Sequence, residues 1–193
     1  METLDALERA YAMCAAALDR VNEANRDDPT ACEDWTLGML AGHVVGTASA
    51  FAQVLADGPT PARARVVGNE ATSARLRADA AAGIAGWKRD GALAREYDRV
   101  IELDEGVLIP PIPLPGEMLL AINLLDIGVH AHDLARAVGA PQLADDDGVA
   151  YATLSAAELI LQPGIRELAG FGPERPPSSD PSPSERLLAF VGR

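Results

Sequence analysis

The chain has 193 residues, 48% of them hydrophobic, which suits one domain whose core needs neither a disulfide nor a metal. Its net charge of −13 argues against nucleic acid or an anionic membrane as a partner, because phosphates are bound by Lys and Arg. With no apolar run near the ~20 residues of a membrane span, no secretory leader pattern and only two cysteines, a cytoplasmic protein is expected.

The first half of the sequence predicts three helices. Apolar residues recur at three- and four-residue intervals over residues 4–21, which indicates the first helix. After a polar loop, Thr36 has the position of an N-cap, and an apolar stripe follows over residues 37–55. A third, alanine-rich helix is predicted over residues 69–87.

The middle of the chain changes character. Residues 95–114 are rich in β-branched residues and proline, with a turn signal at residues 104–106, which predicts a short β-hairpin whose second strand lies at an edge. Proline at position 115 suits the first turn of a fourth helix, predicted over residues 115–138 and ended by Gly139.

The rest of the chain predicts a fifth helix over residues 145–161 and then an extended or mobile tail over residues 172–185. The last residues become apolar again and are expected to pack on the body of the protein. The sequence therefore predicts a single domain, residues 1–193. Its fold class is mainly α: a four-helix bundle with a short β-hairpin insertion and an extended C-terminal tail.

A narrow polar seam runs along the fourth helix. Asn123, Asp126, His130 and Asp133 fall within a stripe roughly 80° wide, and most other positions of this helix are apolar. A surface helix normally shows the reverse proportions. The seam therefore indicates ionisable groups that face a cavity or the bundle interior, where a metal ion can satisfy several of them at once.

Asp126 and His130 are four residues apart, so one cation can lie between their side chains. Imidazole and carboxylate donors suit a divalent metal, with zinc placed ahead of nickel or iron. A third ligand has to come from another element, and His43 on the second helix can face the seam, whereas His132 points away from it. Two alternatives stay open: an ordinary exposed Asp/His pair, or a seam that is the solvent face of an otherwise buried helix, for instance in a homodimer.

Three stretches resemble a known family. Ala31-Cys32-Glu33-Asp34-Trp35-Thr36, followed by Leu40-Ala41-Gly42-His43, resembles the opening of the mycothiol-dependent maleylpyruvate isomerase N-terminal family, in the DinB-like superfamily. The run from Leu125 to Gly139, LDIGVHAHDLARAVG, resembles that family's segment with a carboxylate, a histidine and a D-L-A-R-A core. The ending PSERLLAFVGR resembles the close of a short actinobacterial subgroup.

The resemblance implies a bundle that holds a divalent metal through His, a carboxylate and His, at positions that are His43, Asp126 and His130 here. It also implies a low-molecular-weight thiol, mycothiol, as co-substrate beside a small electrophilic substrate. A cation next to a thiol stabilises the thiolate, and three protein ligands leave an open coordination position. Asp133 is expected either to orient His130 or to pair with Arg136.

Three departures from the family pattern bear on the reaction. Asp126 replaces the usual Glu, His132 replaces an aromatic residue and could line a substrate pocket or lie on the surface, and the family's catalytic C-terminal domain has no room in this chain. These departures argue against maleylpyruvate isomerisation itself. Cys14 and Cys32 are interpreted as buried structural thiols, because no histidine is near them in sequence.

The favoured hypothesis is a metal-dependent transferase or isomerase that uses a thiol. The second hypothesis is a non-catalytic binding or accessory protein on the same bundle. The third is a metal-independent biosynthetic cyclase or lyase that uses Asp126, His130 or Asp133 as acid and base.

Overall fold

Helices dominate the computed structural model, which describes residues 2–56, 70–102 and 108–193. In chain order the elements are α1 (Thr3–Leu18), α2 (Leu37–Leu55), α3 (Ser73–Trp87), β1 (Glu96–Glu102), β2 (Leu108–Pro115), α4 (Gly116–Ala137), α5 (Asp147–Ile160), α6 (Ile165–Leu168) and α7 (Pro183–Phe190), with a short 3-10 turn at Pro141–Ala144. The five helices predicted from sequence are therefore present. The predicted turn at 104–106 lies outside the described residues. The third helix begins at Ser73, because the Thr72 side chain caps it by accepting from the N–H of Arg75, and so it starts later than the predicted position 69.

The first four helices form the bundle. Helix α1 packs on α3 and α4, and α2 packs on the same two helices, so that α1 and α2 lie at opposite corners. Helix α5 covers an outer face of α4 and α1, and α7 packs on α5. The bundle core is built from fully buried leucine and valine side chains of all four helices, such as Leu7, Val44, Leu76 and Leu124.

Helix α4 is the most enclosed element and carries the polar seam. It ends as predicted: Gly139 has a φ of 67°, its N–H donates to Arg136 O, and the N–H of Ala140 donates to Ala135 O. This is the pairing of a Schellman motif, which favours glycine at the position of positive φ. The stop at Gly139 thus has the physical cause that the sequence indicated.

Within residues 2–56, 70–102 and 108–193, two helices are long and apolar enough, by length and composition alone, to cross a membrane: α2 and α4. This differs from the expectation that no segment approaches that limit. In α4 the most apolar stretch is 83% buried inside the protein, and in α2 the share is 50%. Burial of this kind is typical of core helices in a bundle, whose apolar sides face their neighbours.

The hairpin strands pair antiparallel, with Glu96 opposite Pro115 and Tyr97 opposite Leu114, and with a register shift between Arg99 and Ile101. The Tyr97 hydroxyl donates to Ala92 O at 3.1 Å, and its ring meets that of Trp87 edge-on at 6.0 Å between centroids. The N-terminal end of the hairpin is therefore fixed to the end of α3, and β2 leads directly into α4.

The segment predicted to be extended over residues 172–185 is extended over residues 172–182, and a helix occupies its last three positions. Ser182 accepts from the backbone N–H of Glu185, the Glu185 carboxylate accepts from the N–H of Ser182, and Pro183 takes the first helical position. This capping box starts α7 at Pro183. Leu187 and Val191 are fully buried, which confirms that the last residues pack on the body.

Helices α4 and α5 approach closely at Gly128. A Cβ added there would lie 2.2 Å from Oγ1 of the buried Thr153. We expect Gly128→Ala to lower the free energy of unfolding by about 1–3 kcal/mol through overpacking, measured by urea denaturation. Combination with Thr153→Ala should restore part of the loss. The matched control is Gly83→Ala in α3, where the nearest atom is 3.9 Å away and no destabilisation is expected.

Candidate functional site

The loop between α1 and α2 holds one wall of the site. Thr30 Oγ1 accepts from the N–H of Cys32 and donates to Trp35 O, and the N–H of Trp35 donates to Cys32 O at 3.1 Å. Asp34 adopts a φ of 62°, which Asp tolerates better than most residues. The Thr36 side chain accepts from the N–H of Met39, so it caps α2 as predicted. This tight turn places Cys32 and Trp35 over the start of α2.

Helices α2 and α4 bring three sequence-predicted residues together. His43 Nε2 lies 3.1 Å from Asp126 Oδ1, and His130 Nε2 lies 3.5 Å from the same oxygen. One donor atom from each of the three residues lies within 4.8 Å of the others. The side chains are 17%, 26% and 9% exposed for His43, Asp126 and His130 respectively, so the cluster is half-buried and open toward Asp126.

The rings of this cluster are packed against each other and against Trp35. The imidazoles of His43 and His130 meet edge-on at 4.9 Å between centroids, and the Trp35 ring lies 4.9 Å from His43 and 6.1 Å from His130. Trp35 therefore restricts the rotation of both imidazoles. It also adds an apolar, aromatic wall to the site.

The second nitrogen of His130 faces the interior. Its Nδ1 lies 3.0 Å from Oδ2 of Asp133, which is fully buried. The Cys32 thiol donates to the same Asp133 oxygen at 3.4 Å and lies 3.9 Å from His130 Nδ1. Arg193, which follows α7, reaches the same place with its Nε 3.3 Å from Asp133 Oδ1 and its Nη2 3.5 Å from Cys32 Sγ.

These contacts shift the protonation of the cluster. Burial by itself raises the pKa of Asp126, but the imidazoles of His43 and His130 and the hydroxyl of Thr47 outweigh it and hold that pKa well below its usual range. Burial lowers the pKa of His130, but bonds to Asp133 and Cys32 and the charge of Asp126 raise it to about 10. Asp133 also has a lowered pKa, since His130 and Arg193 outweigh its burial.

The other predicted candidates lie elsewhere. Asn123 is buried one turn before Asp126, where its side chain donates to Tyr11 Oη at 2.9 Å and accepts from the indole N–H of Trp87 at 3.4 Å. His132 is only 5% exposed, so it is not a surface residue, and its Nε2 has no hydrogen-bond partner among the described residues. It lies on the face of α4 opposite the seam. Arg136 is exposed, and Asp133 pairs with His130 and Arg193 instead of with Arg136.

The donor set fits a divalent cation. Two imidazole nitrogens and a carboxylate oxygen converge from two rigid helices, and the Nδ1 of His130 is occupied by Asp133, which leaves Nε2 directed at the cluster. A carboxylate on the remote nitrogen of a histidine is the usual support for a metal-binding imidazole. A second set, Cys32, His130 and Asp133, also has its donor atoms within 4.8 Å, but the Arg193 guanidinium already supplies a positive charge there.

Fold and side-chain cluster together define a DinB-like helical bundle with a site built from α2 and α4. The sequence matches the family described as mycothiol maleylpyruvate isomerase N-terminal domain over residues 7–135, and the chain belongs to this family.

Relatives with solved structures share the fold. The mycothiol-dependent maleylpyruvate isomerase superposes with a TM-score of 0.57 at 19% identity, and a histidine-to-alanine mutant of it with 0.56 at 20%. Each superposition covers 82% of this chain and 68% of the enzyme. Two uncharacterized proteins of Mycobacterium tuberculosis, Rv0738 of strain H37Rv and MT0763 of strain CDC 1551, are each 30% identical over 197 residues, covering 100% of this chain and 98% of theirs.

Cys32, Trp35 and Arg193 belong to the site, although the sequence pattern does not assign them to it. The absence of a nearby histidine in sequence favours a structural role for Cys32, yet the fold places it beside His130, 98 positions away. Cys32 and Trp35 could have been assigned to the site from the sequence, because both belong to the opening stretch that carries the family resemblance. Nothing in the local pattern around Arg193 indicates a contact with Asp133.

Proposed function

We propose that this chain is a metal-dependent enzyme that activates a low-molecular-weight thiol, mycothiol in the first instance. The activated thiol is either transferred to a small electrophilic substrate or used to isomerise it. The observation that carries the proposal is the convergence of His43, Asp126 and His130 from two helices in a half-buried site. Family membership supports the thiol, because the solved relatives are mycothiol-dependent enzymes by their descriptions. A cytoplasmic location accords with a small-molecule thiol as co-substrate.

His43, Asp126 and His130 would hold the metal. A bound divalent cation of the zinc type would supply Lewis acidity and stabilise a thiolate at an open coordination position. The protein's own groups prepare that position. Asp133 fixes the ring of His130, Trp35 limits movement of both imidazoles, and the open side next to Asp126 admits the thiol and its partner.

Electrostatics explain why a cation suits the site. The neighbouring imidazoles of His43 and His130 lower the pKa of Asp126 and so favour its ionised form. His43, Asp126 and His130 would hold a divalent cation in their deprotonated forms, and the cation would supply a concentrated positive charge beside the Asp126 carboxylate. The net charge of −13 also favours accumulation of cations near the protein.

The test is thiol consumption with a panel of electrophiles, maleylpyruvate and activated alkenes among them, by protein reconstituted with zinc, nickel or iron. We expect thiol-dependent conversion that stops on chelation and in Asp126→Asn, which keeps the shape of the side chain and removes its charge. Glu158→Gln, on the outer helix α5, is the matched control and should leave the rate unchanged. Conversion that survives chelation would contradict the proposal and favour the metal-independent cyclase or lyase.

A further inference from the structure

We infer that Arg193 is a positioning residue. Its guanidinium lies beside Cys32 and Asp133 and supplies the positive charge that holds the Asp133 carboxylate against Nδ1 of His130. The inference rests on the proposed metal site, because its consequence is a fixed Nε2 at that site.

The buried carboxylate needs a positive partner. Asp133 is fully buried, and an ionised carboxylate in that position is costly unless it is paired and hydrogen-bonded. Its Oδ2 accepts from Cys32 and from Arg193 Nε at 3.4 Å and faces His130 Nδ1, while its Oδ1 lies 3.3 Å from the same Arg193 nitrogen without a hydrogen bond among the described residues. Arg193 is the arginine that the described residues bring against Asp133, and a guanidinium keeps its positive charge at any pH at which the protein is folded.

The backbone holds Arg193 in place. Helix α7 ends in a Schellman motif, in which the N–H of Gly192 donates to Ala189 O and the N–H of Arg193 donates to Leu188 O at 2.8 Å. Gly192 has a φ of 79°, and a Cβ there would lie 2.7 Å from the carbonyl carbon of Gly172. A glycine is therefore required for the turn that sends Arg193 back toward α4.

The side chain of Arg193 is largely buried and packs against an aromatic ring. It is 10% exposed, and its guanidinium carbon lies 6.0 Å from the centroid of the Phe171 ring. Arginine suits this position because its planar group can serve a carboxylate and a sulfur at once. Its contact with Cys32 Sγ at 3.5 Å also places a positive charge beside the Cys32, His130 and Asp133 set, which disfavours a second cation there.

The experiment compares Arg193→Met, of similar length without charge, with Arg193→Lys. The matched control is Arg186→Met on α7, the helix that precedes Arg193. Arg186 is exposed and bonds to Pro181 O. Zinc affinity is measured by competition with a chromophoric chelator. We expect Arg193→Met to weaken zinc binding by up to about the 10- to 100-fold that loss of a group bonded directly to a metal-ligating histidine costs, with Arg193→Lys restoring most of it and Arg186→Met unchanged.

A second readout needs no metal. In 1H–15N spectra of the imidazole groups, the Nδ1–H of His130 should be slow to exchange and shifted downfield in the wild-type protein and in Arg193→Lys, and should be lost to exchange in Arg193→Met. Arg193→Gln, which keeps donors without charge, replaces Arg193→Met if the latter does not fold, with the same expectation.

The two readouts separate the inference from the proposed function. If the wild-type chain binds no zinc, the proposed function fails and the Nδ1–H resonance alone decides the role of Arg193. An unchanged resonance in Arg193→Met, or unchanged zinc affinity where the wild type binds zinc, would overturn the inference.

Discussion

His130→Ala is expected to abolish stoichiometric metal binding, whereas His132→Ala should retain it. The two histidines lie two positions apart on α4 and both are buried, but only His130 places a ring nitrogen within 3.5 Å of Asp126. Loss of one of three protein ligands leaves an incomplete site, because zinc sites of the catalytic kind use three. Metal content after equilibrium dialysis, measured by mass spectrometry of the elements, gives the answer directly.

The comparison between the two variants separates loss of a metal ligand from loss of metal through loosened packing of α4. Both substitutions leave a small space inside the same helix, so a general loosening of α4 would lower metal content in both proteins. Equal metal content in His130→Ala and the wild type would contradict the assignment of His130. Equal loss in both variants would show that packing of α4 rather than ligation is being measured.

The second prediction concerns the metal-free protein. Its free energy of unfolding should fall as pH rises from about 6.5 to 8, by as much as about 1.4 kcal/mol per pH unit. The pKa of His130 is raised from its ordinary value of 6.5 to about 10 in the folded state. Between these values the folded state holds a proton that the unfolded state has released, so the stabilisation is complete below about pH 6.5 and is lost as pH rises.

The pH window is chosen to isolate His130. Burial lowers the pKa of His132, so its contribution to the slope lies below pH 6.5. Burial raises the pKa of the Cys14 thiol, so its contribution begins near the usual thiol range, above about pH 8. Urea denaturation with chelator present, at pH values from about 6.5 to 8, should show the slope in the wild type and a much smaller one in His130→Gln. Parallel slopes in the two proteins would count against the buried His130–Asp133 pair.

Much of the fold follows from periodicity in the sequence. Helix α4 can be placed to within one residue at each end, because its apolar pattern is unbroken and Gly139 supplies the positive φ of the cap. The polar seam of this helix is recognisable because most of its other positions are apolar. The start of α7 was not predicted. The low apolar content of the segment favours an extended chain, and this outweighed the helix-start signal of Ser182, Pro183 and Glu185, which form a capping box in the structure.

Three residues of the site can be predicted from the sequence. Spacing four residues apart relates Asp126 to His130, and His43 follows as the remaining histidine that can face the seam, a choice that the resemblance also implies. Cys32 comes from a loop and Arg193 from the end of α7, and their meeting at Asp133 depends on how three elements pack, which no local pattern encodes. Asn123 shares the seam but is satisfied by Tyr11 and Trp87, so a common face does not mean a common role.

Zinc in this protein is expected to be bound by nitrogen and oxygen donors alone. X-ray absorption spectroscopy at the zinc edge of the loaded protein tests this most directly, because zinc–sulfur distances of about 2.3 Å are resolved from zinc–nitrogen and zinc–oxygen distances of about 2.0–2.2 Å. We expect two imidazoles and a light-atom shell without sulfur, as for His43, Asp126 and His130. A sulfur neighbour in the thiol-free protein would place the metal on Cys32 and contradict the proposed site.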